Sequence, residues 1–159
     1  TGTTPGGGSG SLQQIGLRAD AASDYDPLGD GTEHANETAF AIDNTATTTW
    51  STESYTTGDL QKAGVGIAID LSPATVVRQL RIHTPTPGFA AEVYVSDAPP
   101  PDALPDPAWK LVATVPDVEA HQTVALDTAG QTSRTVLLWI TALPSGGDQV
   151  EISELSLYR

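Results

Sequence analysis

The stretch Ala41 to Thr52, "AIDNTATTTWST", sets an Asp, an Asn and four threonines in one short turn ahead of Trp50. Such a set of oxygens has two uses. It can be gathered to hold something positively charged, or it can make an ordinary polar turn, with Asp and Thr side chains bonding nearby backbone. A second acidic stretch, "SDYDPLGDGTEHANE", places Asp24, Asp26, Asp30, Glu33 and Glu37 just upstream. It is not an EF-hand, because Leu28 and Gly29 fall where ligands should continue and no Glu stands at the twelfth position. A second cation site, a polar rim for sugar hydroxyls and a solvated loop all remain open for it.

Catalytic chemistry finds little support. The three histidines, His34, His83 and His121, sit on separate segments, and no Ser stands on a nucleophile elbow. Glycoside hydrolysis needs two carboxylates with one held protonated by an apolar pocket. The acidic loop offers carboxylates but no such pocket. A non-catalytic chain is the expectation.

Seven basic residues against twenty acidic ones give a net charge of -13. That balance opposes nucleic acid, whose binding neutralises phosphates with Lys and Arg, and it opposes anionic lipid as well. Metal cations and basic partners suit it. The absence of Cys excludes disulfides, zinc thiolates and thiol nucleophiles. No apolar run approaches the length of a membrane span, so direct membrane insertion of this segment is not expected.

What must position the loops is a β scaffold. In "GIAIDL" Ile67, Ile69 and Leu71 share one face, with Ala68 and Asp70 on the other. "QLRIHT", "AEVYVS", "TVAL" and "TVLLWITAL" repeat this period of two, and "QVEISELSLYR" closes the chain. Prolines punctuate the gaps, as in "SDAPPPDALPDPAW", which is neither strand nor helix interior. Short alternating runs between turn clusters predict an all-β sandwich of roughly eight strands. Residues 1–14, opening "TGTTPGGGSGS", read as a flexible linker, and 15–159 as one domain. A chain opening on Thr1 rather than Met is expected to be cut from a longer protein. In the last strand the parity of Val150 and Ile152 opposes that of Leu155 and Leu157, so alternation slips near Ser153 and Glu154. Either a β-bulge re-aims Glu154, or the strand packs on both faces.

Five segments in order resemble the discoidin, or factor V/VIII C-type, family within the galactose-binding-like superfamily. They are "AIDNTATTTWST", "VGIAIDLS", "VVRQLRIHTPT", "AEVYVSD" with "AWKLVAT", and "VEISELSLYR". The resemblance implies an eight-stranded jelly-roll sandwich with binding loops clustered at one end. It also implies a structural calcium ion where the first and last motifs meet. Asp43 and Glu154 would give carboxylates, Thr48 a hydroxyl, and backbone near Phe40 and Thr45 carbonyls. Such oxygens are what calcium takes. The family usually has Gly after the Asp; Asn44 stands here, a residue that tolerates a left-handed turn. "DYDPLGDGTEH", "LQKAGVGIAIDL" and "TPTPG" are similar to the extracellular C-terminal domain of actinobacterial MviN-type lipid II flippases. That narrower resemblance implies an extracellular domain tethered to a membrane protein and facing the cell wall.

The ligand expected at the loop end is carbohydrate or cell-wall glycan. The alternative is a protein that the domain docks to position its parent. Sugars are gripped by an aromatic face and convergent polar groups. Tyr25 and Tyr55, each in an acidic loop, are the surface aromatics expected to serve, with Asp30 and Glu33 as polar rim. Arg81 and His83 project outward from one strand and are the further candidates. Trp139, on the face opposite Val136, Leu138 and Ile140, is either a binding platform or a residue covered by a loop.

Overall fold

The computed structural model describes residues 12–28, 34–45, 47–55, 57, 60, 62–101, 104 and 106–159. Its elements, in chain order, begin with β1 (Ala22–Tyr25), a 3-10 helix (Ala35–Ala41), β2 (Trp50–Ser51), β3 (Val65–Val76), β4 (Gln79–His83) and β5 (Ala90–Ser96). There follow β6 (Lys110–Val115), β7 (His121–Ala125), β8 (Thr132–Ala142), β9 (Glu151–Ile152) and β10 (Glu154–Tyr158). One sheet has the order β1-β3-β8-β5-β6 and the other β10-β4-β7, all antiparallel; β2 and β9 pair separately. Eight strands thus make the two layers of a jelly-roll sandwich, and the two-residue pair closes one end.

The period-two pattern decides which side chains meet. Ile67, Ile69 and Leu71 of β3, Val93 and Val95 of β5, and Val136, Leu138 and Ile140 of β8 all face inward. Leu80 and Ile82 of β4, Val124 of β7, and Leu155 and Leu157 of β10 meet them from the other layer. Trp50 and Phe89 are fully buried in the same core. Burial of each such side chain contributes about 1.5–3 kcal/mol, which is what holds the layers together.

Part of the opposite face of the five-stranded sheet is also covered. Ala68, Leu137 and Trp139 lie under Tyr25, Leu104 and Trp109, with Tyr94 at the margin. The proline-rich segment after β5 supplies Leu104 and Trp109, so Trp139 is covered, not a platform. Tyr25 packs edge-on against Trp109 and Trp139, with ring centroids 5.6 and 5.9 Å away. Gly64 is obligatory here, since a Cβ would come within 2.4 Å of the Trp139 indole.

Backbone pairing reaches into the stretch that composition reads as linker. Gln13 and Arg159 exchange backbone hydrogen bonds at 3.1 and 2.9 Å, and Gln14 bridges Tyr158. Residues 13 and 14 therefore extend the folded domain, because backbone pairing with the end of β10 needs no apolar side chain. Residues 1–11 lie outside the described residues.

Candidate functional site

The slip in alternation at the last strand is a bend at Ser153. The Ser153 N–H donates to the His83 carbonyl at 2.9 Å, although Glu154 is the residue in register with His83. Two residues opposing one is the pattern of a bulge, and here the chain also leaves the β2 pairing for β4. Val150 and Ile152 before the bend and Leu155 and Leu157 after it can all reach the core. Glu154 is left at the head of β10, beneath the 43–45 turn and only 9% exposed.

That turn is built around Asp43. Its Oδ1 accepts from the Thr45 N–H at 3.0 Å and its Oδ2 from the Thr48 hydroxyl at 2.6 Å. The Thr48 hydroxyl also reaches the Thr45 carbonyl at 3.1 Å. Asn44 takes the left-handed conformation, φ 58°, that the missing Gly would have supplied. By these bonds alone the loop is a self-satisfied Asx turn. Glu154 is not so satisfied. Its Oε1 is buried with no hydrogen-bond partner. Burial pushes its carboxyl up to about 7, aided by the Asp43 charge and opposed by backbone N–H groups of Asn44 and Thr45. A cavity of about 240 Å³, lined in part by Gln14, Gly16, Ile42, Asn44 and Glu154, lies beside it.

The structure therefore brings together Asp43, Thr45, Thr48 and Glu154. Phe40 lies in the last turn of the 3-10 helix and is 40% exposed; its carbonyl is what it would offer. The donor set fits a hard cation: two carboxylates, a hydroxyl and carbonyls, with one buried carboxylate oxygen unclaimed. No group of three or more His, Asp or Glu side chains able to hold an ion occurs among the described residues.

The sugar candidates fare unevenly. Tyr25, expected at the surface, is only 8% exposed. Its hydroxyl donates to the Pro101 carbonyl and accepts from the Trp109 indole N–H at 3.1 Å. It is a core residue, because β1 sits at the sheet edge where the proline-rich segment closes over it. Asp30 and Glu33 lie outside the described residues. Tyr55 is half-buried at the loop end, its N–H bonded to the Asp148 carbonyl at 2.7 Å and its ring 5.4 Å from the Lys62 ammonium. Arg81 is exposed and lies 4.4 Å over the Tyr158 ring, while His83 packs edge-on against His121. Arg81 and His83 therefore belong to the outer face of the three-stranded sheet, not to the cluster of loops with Tyr55.

Other polar residues gather at the loop end. His34 Nδ1 lies 2.8 Å from the Ser51 carbonyl and 3.4 Å from the Ser51 hydroxyl, which also reaches Glu37 at 3.5 Å. Thr49 reaches Glu151 at 3.5 Å on the neighbouring strand. This is not a triad geometry, since Glu37 touches the hydroxyl instead of orienting the imidazole. It is a convergent set of donors and acceptors. The only signal for it in the sequence was the polarity of "HANE" and "WSTE", which any loop would share.

No protein-family profile matches the chain. Solved structures do. The chitosan-binding module 1 of a chitosanase/glucanase from Paenibacillus sp. IK-5 matches with TM-score 0.67 at 16% identity, over 92% of this chain and 99% of that one. The family 32 carbohydrate-binding module of Clostridium perfringens NanJ, solved with galactose, matches with TM-score 0.63 at 18% identity, over 92% and 100%. The corresponding module of AlyQ, solved with 4,5-unsaturated mannuronic acid, gives 0.63 at 17% identity, over 91% and 97%. At such identities the likeness is one of fold. The chain is a jelly-roll β-sandwich, the fold of these carbohydrate-binding modules.

Proposed function

We propose that the domain is a non-catalytic carbohydrate-binding module whose loop end, around His34, Glu37, Ser51 and Tyr55, takes the glycan. The observation that carries this is the end-to-end match to whole modules solved as chitosan-, galactose- and mannuronate-binding units. Tyr55 supplies an aromatic surface, and His34, Ser51 and Glu37 supply hydrogen-bonding groups of both kinds. A cell-wall glycan and an extracellular setting beside a membrane protein are the finer form of the reading. They rest on the resemblance of "LQKAGVGIAIDL" and "TPTPG" to the flippase domains.

A structural calcium ion belongs to the same proposal. Asp43, Thr48, Glu154 and the carbonyls of Phe40 and Thr45 would hold it. Bound there, the ion would neutralise the two carboxylates and fasten the Thr-rich turn to the head of β10. The unclaimed Glu154 oxygen supports it.

Calorimetric titration with galactose, chitosan oligomers, mannuronate oligomers and soluble cell-wall glycan tests the reading. Saturable binding to at least one, weakened about tenfold or more in Tyr55→Ala or His34→Ala, is the expected result. Absence of binding to all four would overturn it and leave protein docking as the stronger account.

A further inference from the structure

We propose that His83 and His121 form a site for a divalent transition-metal ion on the outer face of the three-stranded sheet, taking Cu2+ ahead of Ni2+ or Zn2+. The two residues are register partners on antiparallel β4 and β7. The Thr84 N–H donates to the Ala120 carbonyl at 2.9 Å, and the Leu126 N–H to the Arg78 carbonyl at 3.0 Å. Those bonds mark Thr84–Ala120 and Arg78–Leu126 as hydrogen-bonded positions. Counting along the ladder, His83–His121 is then a non-hydrogen-bonded pair, where opposed side chains approach most closely. The rings are accordingly 4.4 Å apart between centroids, inclined at 72°. His121 is exposed and His83 half-buried.

Neither imidazole makes a hydrogen bond or an ion pair among the described residues; each meets the other ring. Donor nitrogens are thus held together on a rigid ladder and left unused. Imidazole nitrogens suit Cu2+, Ni2+ and Zn2+, and among these the affinity of one nitrogen site is greatest for copper. Metal–nitrogen bonds of about 2.0–2.1 Å require the two donors to lie roughly 3 Å apart. Rings already in edge contact reach that by side-chain rotation alone.

The charges nearby do not oppose a cation. Arg81, two residues along β4, is turned the other way, over the Tyr158 ring of β10. Glu154 stands opposite His83 on the β10 side. The site differs in kind from the Asp43 loop, which offers oxygens to a hard ion. With two protein ligands, the remaining coordination positions fall to water or to oxygens of a bound ligand, so the ion would exchange readily.

The test is titration of the full chain with copper chloride, followed by calorimetry and by electron paramagnetic resonance. One ion per chain is expected, with hyperfine structure from two nitrogens. His83→Ala and His121→Ala should each weaken it by about tenfold or more, and His34→Ala should leave it unchanged. Unfolding midpoints in chelator establish that the variants remain folded. Copper binding that survives both substitutions, as at the terminal amine, would overturn the proposal, as would no binding below about 1 mM.

Discussion

Asp26 and Glu154 are both buried carboxylates, and each keeps one oxygen without a hydrogen-bond partner. What stands beside them differs. Asp26 has the Lys62 ammonium at 2.8 Å, with side-chain exposures of 0% and 13%, so its charge is compensated from within the chain. Glu154 has instead a second carboxylate, Asp43, for company. A buried charge is tolerated when it is paired. The Asp26 region is closed, and the Glu154 region is complete only if a proton or an outside cation joins it. Asp70 marks the third possibility: half-exposed, it is gripped by Arg18 and Arg134, each at 3.0 Å.

The largest effect should come from breaking the closed pair. Lys62→Met leaves Asp26 buried and alone, and should cost about 3–5 kcal/mol in urea unfolding. A loss no greater than that of an exposed pair would mean Asp26 is better solvated than its burial implies.

Glu154→Gln should act in the opposite sense on metal-free protein. It removes a buried charge and, with it, the repulsion from Asp43 while keeping a hydrogen-bonding side chain, so the midpoint at neutral pH should rise by about 2 °C. The same substitution should abolish any stabilisation by calcium. If it destabilised metal-free protein, the cost of burying that charge would not be the governing feature of the site.

Titration sharpens this further. Folding lifts the Glu154 carboxyl from its ordinary 4.5 to about 7, so the folded state binds the proton more tightly than the unfolded one. Its contribution to stability is therefore full below about pH 4.5 and lost as pH rises through about 7. The difference in unfolding midpoint between intact protein and Glu154→Gln, both in chelator, should change across that window and hold steady on either side of it.

The smallest effect belongs to Asp70. Burial pushes its carboxyl up, but hydrogen bonds from Arg134 and Arg18 outweigh this and hold it below the ordinary value. Being half-exposed, the cluster is screened, and Arg134→Ala should cost under about 1 kcal/mol. A cost matching that of Lys62→Met would erase the distinction between the closed pair and the open one.

Strand faces were legible because alternation is a local property. Ile67, Ile69, Val136 and Leu138 were placed on the core side by parity, and that is where they lie. Tyr25 was misplaced because its partners are remote: the Trp109 indole that bonds its hydroxyl is 84 residues away. Nothing in "SDYDP" signals that a proline-rich segment closes over it. Asp26 and Lys62 are 36 residues apart, and their pairing depends on how two loops fold over one another. The meeting of Asp43 with Glu154 came from resemblance, although the parity slip at Ser153 had singled out Glu154. The facing of His83 and His121 needed the β4–β7 register, which two alternating runs do not specify.

Thermal unfolding of the full chain in calcium and in excess chelator tests most directly whether the Asp43–Glu154 turn takes a cation from solvent. An ion that binds only the folded state must raise the midpoint with its concentration. Such a rise is expected in the intact protein, and its loss in Asp43→Ala. An intact protein whose midpoint ignores calcium would contradict it, making the Thr-rich turn a self-satisfied loop over a protonated Glu154.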